Sequence, residues 1–493
     1  MRIGFDHDRY TAMQSEHIRQ RIDKFGGKLY LELGGKLFDD NHASRVLPGF
    51  RPDSKVSMLL NLRDQAELVI AISSDDIEKS KVRGDLGITY DADVLRLIDA
   101  FRGIGLYVGS VVLTRWKGQH SALMFKQRLE KLGVRVYRHF PIDGYPYEVE
   151  KIVSDEGFGQ DEYIETSRPL VLVTAPGPGS GKMAVCLSQL YQEHKRGVKA
   201  GYAKFETFPI WNLPLNHPVN MAYEAATADL DDVNMIDPFH LDAYGVTTVN
   251  YNRDVEIFPV LNAVFERIYG ESPYKSPTDM GVNMIASCIT DDQVCCDAAK
   301  QEIIRRYYAA RCTLVQGRTE QHEVDTLQRI MQKVGLTAEM RPVIAAARAR
   351  AEETEAPALA IELPDGRIIT GKTSDLLGPS AALILNALKA LGGIDKNMKL
   401  MSPTVIEPIQ SLKCDYLGNH NPRLHSDEVL VALSICAATS PMAAHAMRQL
   451  PLLAHCEAHS TVILPQVDDN IFKRLKVNLT CDAKYQTHKL YHK

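Results

Sequence analysis

The sequence contains no long apolar run. None of its 18-residue windows is continuously apolar, whereas a membrane-spanning helix needs about 20 predominantly apolar residues. Arg2, Asp6 and Asp8 place charge near the start of the chain, where a secretory signal peptide would have its apolar stretch. We therefore expect a cytoplasmic protein that has no membrane partner.

Paired cysteines are also missing. The nine cysteines are odd in number, irregularly spaced and never arranged as C-x-x-C. Disulfide frameworks and zinc ribbons both need paired, regularly spaced cysteines. We expect buried, reduced thiols, as is common for free cysteine, and we predict no bound metal.

An excess of basic residues is absent as well. The 57 Lys and Arg residues are outnumbered by 62 Asp and Glu residues, which gives a net charge of −5. Domains that bind nucleic acid usually present a basic surface, so we predict no nucleic-acid partner.

The overall composition is that of a globular protein, with 45% hydrophobic and 24% charged residues. A chain of 493 residues has room for about two to four domains.

The first half of the sequence alternates β-rich runs with helix-length segments. Most of the runs are continuously apolar, which is typical of parallel strands covered on both faces. Helical patterns at 121–132 and 183–194 are each closed by a glycine. This alternation predicts an α/β fold with a largely parallel sheet. We place its strands at 28–33, 68–73, 106–114, 134–140, 170–174, 201–205 and 246–250.

Three parts of the chain differ in character. We assign residues 1–265 to the α/β domain, 266–355 to a helical domain and 356–493 to a C-terminal α+β domain. The helical part has helix patterns at 291–308, 320–334 and 342–355 and ends at Glu355-Ala356-Pro357.

The C-terminal part opens with a hairpin pattern. Residues 358–363 and 367–370 flank an Asp-Gly turn. The elements predicted after it are a helix at 380–391 with Ser380 as its N-cap, helices at 427–438 and 441–450, and a strand at 461–464.

A glycine-rich turn follows the strand at 170–174. Residues 175–183 read Ala-Pro-Gly-Pro-Gly-Ser-Gly-Lys-Met and lead directly into a helix pattern. Glycines let successive backbone N–H groups point into one concavity, and a helix start adds unpaired donors and partial positive charge. Lys182 is unfavourable at that end of the helix dipole unless an anion binds there. We predict that a nucleotide or phosphorylated metabolite is bound by Gly177, Gly179, Ser180, Gly181 and Lys182.

The turn departs from the phosphate-loop motif G-x-x-x-x-G-K-[ST] at two positions. Pro176 occupies the place of the first glycine, and Met183 replaces the residue whose hydroxyl binds magnesium. We therefore expect weak magnesium dependence. Two alternatives stay open: the glycines serve tight packing only, or Gly177-x-Gly179-x-Gly181 is a dinucleotide-type turn.

A literal match to the same motif occurs at residues 366–373, which read Gly-Arg-Ile-Ile-Thr-Gly-Lys-Thr. Its four middle residues are β-forming, and Gly366 lies in the predicted hairpin turn. We expect a strand here rather than a loop that holds phosphate.

Polar side chains follow two other predicted strands. Asp75 comes after the strand at 68–73, and Glu206 and Thr207 come after the strand at 201–205. Ligands of open α/β sheets bind outside the carboxyl ends of the strands. We therefore expect Thr207 to contact the ligand and Glu206 or Asp75 to act as a base or metal ligand. Alternatively, Asp75 has only a structural role and stabilises the first turn of a helix through its negative charge.

His455 and His459 are four residues apart and would share a helix face. The pattern is not H-E-x-x-H, because Glu457 stands in the wrong place. His455-x-Glu457 also lacks the P-C-x-x-C half of the zinc deaminase signature. We expect polar loop histidines here rather than a metal site.

Three segments together resemble a known bacterial family. They are residues 28–40, 175–182 and 421–428, the last reading Asn-Pro-Arg-Leu-His-Ser-Asp-Glu. Over essentially its whole length the chain resembles the family catalogued as domain of unknown function 1846. The resemblance implies a bacterial cytosolic protein and brings no activity or catalytic residues with it.

A second resemblance concerns the C-terminal part. Residues 365–371 and the helix at 380–391 resemble a deaminase-type strand–helix unit. Ser380-Ala381-Ala382 stands where that unit would place its zinc ligand, so the resemblance implies a deaminase-like fold without the chemistry.

Two functions fit these patterns. The first is an enzyme that binds a nucleotide or phosphorylated metabolite at residues 177–182. The second is a non-enzymatic scaffold whose glycine loop is structural and whose helical region at 266–355 forms an oligomer interface. In both cases we expect a homo-oligomer.

Overall fold

A computed structural model of the protein describes residues 2–34, 37–38, 41–83 and 86–486. The chain forms two compact units that divide between Ala299 and Lys300. The three domain ranges given above stay predictions. In the described ranges, no helix combines the length and the apolar character needed to cross a membrane.

The first unit contains eleven strands and twelve complete α-helices among its described residues. Its strands are β1 (Leu29–Leu33), β2 (Ala66–Ser73), β3 (Val82–Arg83), β4 (Ile88–Thr89), β5 (Tyr107–Thr114), β6 (Arg135–Arg138), β7 (Leu170–Thr174), β8 (Gly201–Phe205), β9 (Asn234–Ile236), β10 (Val249–Tyr251) and β11 (Gly281–Val282). Its helices are α1 (His7–Lys24), α2 (Asn41–Val46), α3 (Ser54–Leu60), α4 (Ser74–Glu78), α5 (Tyr90–Gly103), α6 (His120–Lys131), α7 (Val149–Ile152), α8 (Lys182–Lys195), α9 (Pro218–Ala226), α10 (Pro238–Tyr244), α11 (Asn252–Tyr269) and α12 (Pro277–Met280).

Seven of these strands form one sheet in the spatial order β11-β8-β1-β7-β2-β5-β6. Every neighbouring pair in this sheet is parallel. Leu172 of β7 packs into an apolar cluster with residues of α1, α5 and α6, whereas Val171 and Val173 pack into a second cluster with α8 and α11. Helices therefore cover both faces of the sheet, which confirms the predicted α/β fold.

The register of the sheet decides which loops meet. β7 lies between β1 and β2, and its last residue, Thr174, is paired with Ile70 of β2. At the end of β5, Thr114 is paired with Ser73 of β2. Because all the strands are parallel, the segments that follow them emerge at one edge, and the glycine-rich turn lies beside the ends of β2 and β5.

Six of the seven predicted strands coincide with strands of the large sheet. The seventh, predicted at 246–250, corresponds to β10, which instead pairs antiparallel with β9 outside that sheet. The strand at one edge of the sheet, β11, was not predicted because two residues are too few for a hydrophobic pattern.

The second unit is built on a mixed four-stranded sheet. Its strands are β12 (Ala358–Glu362), β13 (Ile368–Lys372), β14 (Glu457–Ser460) and β15 (Asn478–Cys481). The helices are α13 (Asp292–Val315), which begins in the first unit, α14 (Gln321–Lys333), α15 (Pro342–Thr354), α16 (Pro379–Leu391), α17 (Pro403–Ser411), α18 (Ser426–Ala437), α19 (Pro441–Met447) and α20 (Gln466–Arg474). The order is β13-β12-β14-β15; β12 is antiparallel to both neighbours, whereas β14 and β15 are parallel.

The literal phosphate-loop match lies in the hairpin of β12 and β13, as predicted. Gly366 takes a φ of +84° in the turn, a conformation that costs glycine little. Gly371 lies directly against the backbone of Leu383 in α16, so that a Cβ atom there would collide. The two glycines of the match therefore serve the turn and the contact between strand and helix.

Three predictions for the second unit are wrong. The N-cap of α16 is Gly378 rather than Ser380, because Pro379 with its fixed φ suits the first helical position. The strand predicted at 461–464 is β14, which ends at Ser460. His459 is therefore a buried strand residue rather than part of a helix or loop with His455, and its Nδ1 lies 2.9 Å from Thr480 Oγ1.

Candidate functional site

The glycine-rich turn joins β7 to α8 through residues in left-handed conformations. Gly179 has a φ of +76°, and Gly181, the N-cap of α8, has a φ of +87°. Residues with a Cβ atom rarely adopt these backbone angles. This conformational demand explains two of the three glycines in the turn.

Neighbouring side chains hold the turn in place. The Ser180 hydroxyl donates to the Gly177 carbonyl over 2.9 Å, and the Thr114 hydroxyl donates to the Ser180 carbonyl over 2.8 Å. A Cβ atom at Gly177 would collide with the Tyr90 hydroxyl, whereas the space beside Gly179 is open for 4 Å. The turn is therefore packed on one side and open at Gly179.

A pocket of about 440 Å³ lies beside this opening, within the range of roughly 300–1,000 Å³ typical of small-molecule sites. We call it the loop pocket; it is lined by Glu32, Asp75, Thr114, Arg115, Lys117, His139, Phe140, Pro141, Ile142, Tyr145, Phe158, Asp161, Gly179, Gly181, Lys182, Met183 and Ala184. It therefore joins the carboxyl ends of several strands to the start of α8.

The start of α8 opens into the loop pocket. Lys182, Met183 and Ala184, the first three residues of the helix, all line it. No side-chain hydrogen bond from the N-cap satisfies the first turn, and its N–H groups have no partner within the helix. This geometry provides donors and positive potential for an anion.

Three cationic side chains line the loop pocket: Arg115, Lys117 and Lys182. None of them forms an ion pair or side-chain hydrogen bond with any residue that the structure describes. Arg115 directly follows β5 and has a φ of +52°, which is costly for a residue with a Cβ atom. The pocket thus contains three cations that lack a directly paired carboxylate, although Glu32, Asp75 and Asp161 also line it.

The acidic side chains of the pocket have protein partners. The Tyr202 hydroxyl donates to Glu32 over 2.8 Å, and the Gln119 amide donates to Asp75 over 2.9 Å. These contacts hold the two carboxylates in place, and neither carboxylate forms an ion pair with the three cations among the described residues.

His139 and Asp161 form a buried pair in the wall of the loop pocket. The ring Nδ1 of His139 lies 3.3 Å from Asp161 Oδ2. The Ser188 hydroxyl donates to the same oxygen over 2.7 Å, and the Phe140 N–H donates to the other over 2.8 Å. The second ring nitrogen, Nε2, is buried and has no hydrogen-bond partner among the described residues.

Burial affects the protonation of both members of this pair. It lowers the pKa of His139, although the nearby Asp161 opposes the shift. Burial also raises the pKa of Asp161, against the effect of His139 and the Ser188 hydrogen bond. Burial therefore favours the uncharged forms of both His139 and Asp161.

A second pocket, of about 460 Å³, lies on the other side of the turn. Lys182 lines both pockets, and Gly177 and Tyr90 line only this one. Its two arginines, Arg83 and Arg96, each lie 2.7 Å from a different oxygen of the buried Asp93 and thus share one carboxylate. A third hollow, of about 620 Å³, is bordered by α6 and does not include the turn.

Sequence comparison places the chain in a family. The family described as Domain of unknown function DUF1846, N-terminal, matches residues 3–335, and the one described as Domain of unknown function DUF1846, C-terminal, matches residues 339–491. The chain belongs to the DUF1846 family. The resemblance inferred from residues 28–40, 175–182 and 421–428 is confirmed, although residues 35–36 and 39–40 lie outside the described residues.

Similar DUF1846 proteins are bacterial and carry the name UPF0371 protein. One from Streptococcus thermophilus (strain CNRZ 1066) is 58% identical over 490 residues, covering 99% of each chain. One from Corynebacterium urealyticum is 58% identical over 495 residues, covering 100% of this chain and 99% of its own. One from Streptococcus pyogenes serotype M5 is 56% identical over 491 residues, with the same coverage.

The structure of this DUF1846 protein brings several predicted site residues together. Asp75, Gly179, Gly181 and Lys182 line the loop pocket. Gly177 lines the second pocket, and Ser180 is fully buried within the turn. Their role in binding stays a prediction.

Glu206 and Thr207 line neither of the two pockets beside the turn. Glu206 lies 2.7 Å from Lys204, which also contacts Asp254, and burial raises the pKa of Glu206 to about 7. The Thr207 hydroxyl is buried without a hydrogen-bond partner in the described chain. β8 is separated from β7 by β1, which explains why these residues do not reach the loop pocket.

Sequence reasoning missed Arg115, His139 and Asp161. Arg115 and His139 directly follow β5 and β6, the position at which a parallel sheet binds its ligands. Applying that rule to every strand would have found both. Asp161 lies in a loop, and only the folded chain places it against His139.

Outside the loop pocket, His217, Asp292 and Cys296 bring three potential metal-binding atoms within 4.8 Å of one another. The Val219 N–H donates to His217 Nδ1 over 3.3 Å, while Nε2 lies 3.1 Å from Asp292 Oδ1. A neutral ring that accepts at Nδ1 carries its proton on Nε2. This hydrogen bonding leaves no ring lone pair for a metal, and we assign none.

Proposed function

We propose that this protein binds a small phosphorylated ligand, a nucleotide or a phosphorylated metabolite, in the loop pocket. One observation carries the proposal: Arg115, Lys117 and Lys182, unpaired within the described chain, line the same pocket as the uncapped first turn of α8. Converging cations and helix N–H groups are the partners that phosphate groups prefer.

The nature of the pocket supports a ligand of limited size. Its volume of about 440 Å³ fits a nucleoside monophosphate or sugar phosphate better than a polymer. Apolar side chains, among them Phe140, Ile142 and Phe158, form part of the wall and could pack against the carbon skeleton of the ligand. Because Met183 offers no hydroxyl and Asp75 already accepts from Gln119, we expect weak magnesium dependence.

Calorimetric titration tests the proposal. The probes are pyrophosphate, ATP, ribose 5-phosphate and glycerol 3-phosphate, added to the full chain and to Lys182→Ala. A charge-assisted hydrogen bond contributes about 1.5–3 kcal/mol, so the variant should bind the tightest probe about 10- to 150-fold more weakly.

Lys195→Ala is the matched control, because Lys195 lies at the other end of α8 and pairs with Asp155. It should bind like the wild type. Equal affinity of Lys182→Ala and wild type, or no binding of any probe, would refute the proposal and favour the scaffold alternative.

A further inference from the structure

We propose that the second pocket, on the other side of the glycine-rich turn from the loop pocket, binds a small carboxylic acid with an apolar body. Two observations carry the proposal: a pair of arginines shares one buried carboxylate at this pocket, and much of the remaining wall is apolar. The inference goes beyond the proposed phosphate site, because it concerns a different cavity and a different chemical class of ligand.

The first step is the charge of the second pocket. Arg83, Arg96 and Lys182 line it, and no aspartate or glutamate does so among the described residues, whereas three carboxylates line the loop pocket. Asp93, whose side chain is fully buried, is shared by both arginines. Two guanidinium groups and one carboxylate carry one net positive charge, which matches a ligand with one negative charge.

The second step is the part of Arg96 that Asp93 does not occupy. Its Nε lies 2.7 Å from Asp93 Oδ1, and its two terminal nitrogens form no hydrogen bond with the described residues. The side chain is 39% exposed, so a ligand can reach these nitrogens. Guanidinium N–H groups bind a planar carboxylate through two parallel hydrogen bonds. Because Asp93 already holds the side chain, less side-chain entropy is lost on binding.

The third step is the apolar part of the wall. Leu33, Leu37 and Leu97 line the pocket and are each at most 5% exposed, and Phe38 and the residues of the turn at 175–178 continue the lining. The volume of about 460 Å³ has room for an acid with a short alkyl chain or a single ring. Because affinity increases with the apolar area that is buried, such an acid should bind more tightly than acetate.

Calorimetric titration of the full chain with hexanoate, hexanamide and acetate tests the proposal. Hexanamide has a similar alkyl chain but no charge, and it should bind about 10- to 150-fold more weakly than hexanoate, as expected for the loss of a charge-assisted contact. Acetate keeps the charge without the chain and should bind at least about tenfold more weakly than hexanoate.

Arg96→Met removes the guanidinium group and should weaken hexanoate binding about tenfold or more, while the affinity of the loop pocket for pyrophosphate stays unchanged. Arg102→Met is the matched control, because Arg102 lies in the last turn of the same helix, α5, and lines none of the three pockets described above. It should bind hexanoate like the wild type.

Arg96→Lys is the second variant, in case the methionine disturbs folding. It keeps a positive charge beside Asp93 but cannot form two parallel hydrogen bonds with a carboxylate. Hexanoate should therefore bind about 3- to 10-fold more weakly, as the loss of one hydrogen bond implies.

Three results would overturn the proposal: no binding of hexanoate to the wild type, unchanged hexanoate affinity in the Arg96 variants, or binding of hexanamide or acetate as tight as that of hexanoate. Hexyl phosphate that binds more tightly than hexanoate and loses affinity in Arg96→Met would also overturn it, by assigning the pocket to a phosphate. A wild type that binds hexanoate through Arg96 but binds no phosphate probe would support this proposal and refute the proposed function.

Discussion

Each unit of the protein contains a histidine beside a buried aspartate, and the two pairs differ in their surroundings. In the first unit, His139 and Asp161 line a pocket, and Nε2 is without a partner among the described residues. In the second unit, His425 Nδ1 lies 3.1 Å from Asp468 Oδ2. The same two residue types thus occur once beside an open cavity and once within a packed helix terminus.

The partners of Asp468 show why the second pair is structural. Its other oxygen accepts from the Ser426 N–H over 2.8 Å and from the Ser426 hydroxyl over 2.6 Å. The His425 N–H donates to Glu428 over 2.7 Å. These contacts fix the start of α18 to α20 and explain the segment 421–428 that helped to reveal the family.

The pKa directions of the two histidines differ accordingly. The hydrogen bond to Asp468 raises the pKa of His425, whereas burial lowers that of His139. A histidine beside an aspartate therefore does not by itself indicate a binding or catalytic role. What distinguishes the first pair is a buried nitrogen without a partner next to a cavity that contains unpaired cations.

The largest expected effect concerns the structural pair. Asp468→Ala removes the acceptor of the Ser426 N–H and hydroxyl, and the loss of one partner from a buried charged pair costs about 3–5 kcal/mol. We expect a lower urea midpoint with unchanged affinity for pyrophosphate in the loop pocket. A variant of unchanged stability would contradict the structural role assigned to Asp468.

An intermediate effect is expected at Arg115. Arg115→Gly removes one cation from the pocket, so pyrophosphate should bind about tenfold more weakly. Glycine also relieves the φ of +52°, which should stabilise the folded state by about 1 kcal/mol. Calorimetry and thermal melting measure the two changes; a variant that binds as well as the wild type would show that Arg115 does not contact the phosphate.

The smallest expected effects are opposite pH dependences of the free energy of unfolding, which follow from the raised pKa of His425 and the lowered pKa of His139. Because the pKa of His425 is raised in the folded state, its interaction with Asp468 stabilises the protein fully below the ordinary histidine pKa of about 6.5. This stabilisation is lost as the pH rises through the pKa of the folded state. The lowered pKa of His139 means that the folded state resists protonation, so stability is lost as the pH falls below about 6.5.

Urea unfolding of His425→Gln and His139→Gln from about pH 5.5 to 8 measures these dependences. The stability difference between wild type and His425→Gln should shrink with rising pH, and that for His139→Gln should grow. If the stability difference changed with pH in the same direction for both variants, the two pairs would not differ as described.

The sequence was informative where burial leaves a simple pattern. The strands of the parallel sheet are continuous apolar runs, and this placed β7, the glycine turn and α8 correctly. Asp75 was expected beside the turn because parallel strands end at one edge, and it lines the loop pocket with Lys182.

The sequence was less informative where polar groups are buried with partners. The strand predicted at 134–140 extended through His139, which hid the residue that follows β6. β14 was misplaced because Glu457 and His459 are polar, and their partners, Arg341 and Thr480, are distant in the chain. Glu206 was expected near the phosphate because strand order within a sheet is not evident from chain order.

A crystal structure of the protein with ribose 5-phosphate is the most direct test of the loop pocket. We predict the phosphate within about 3 Å of Lys182 Nζ and of the first N–H groups of α8. An empty loop pocket at a saturating ligand concentration, or phosphate bound only elsewhere, would contradict the proposed function.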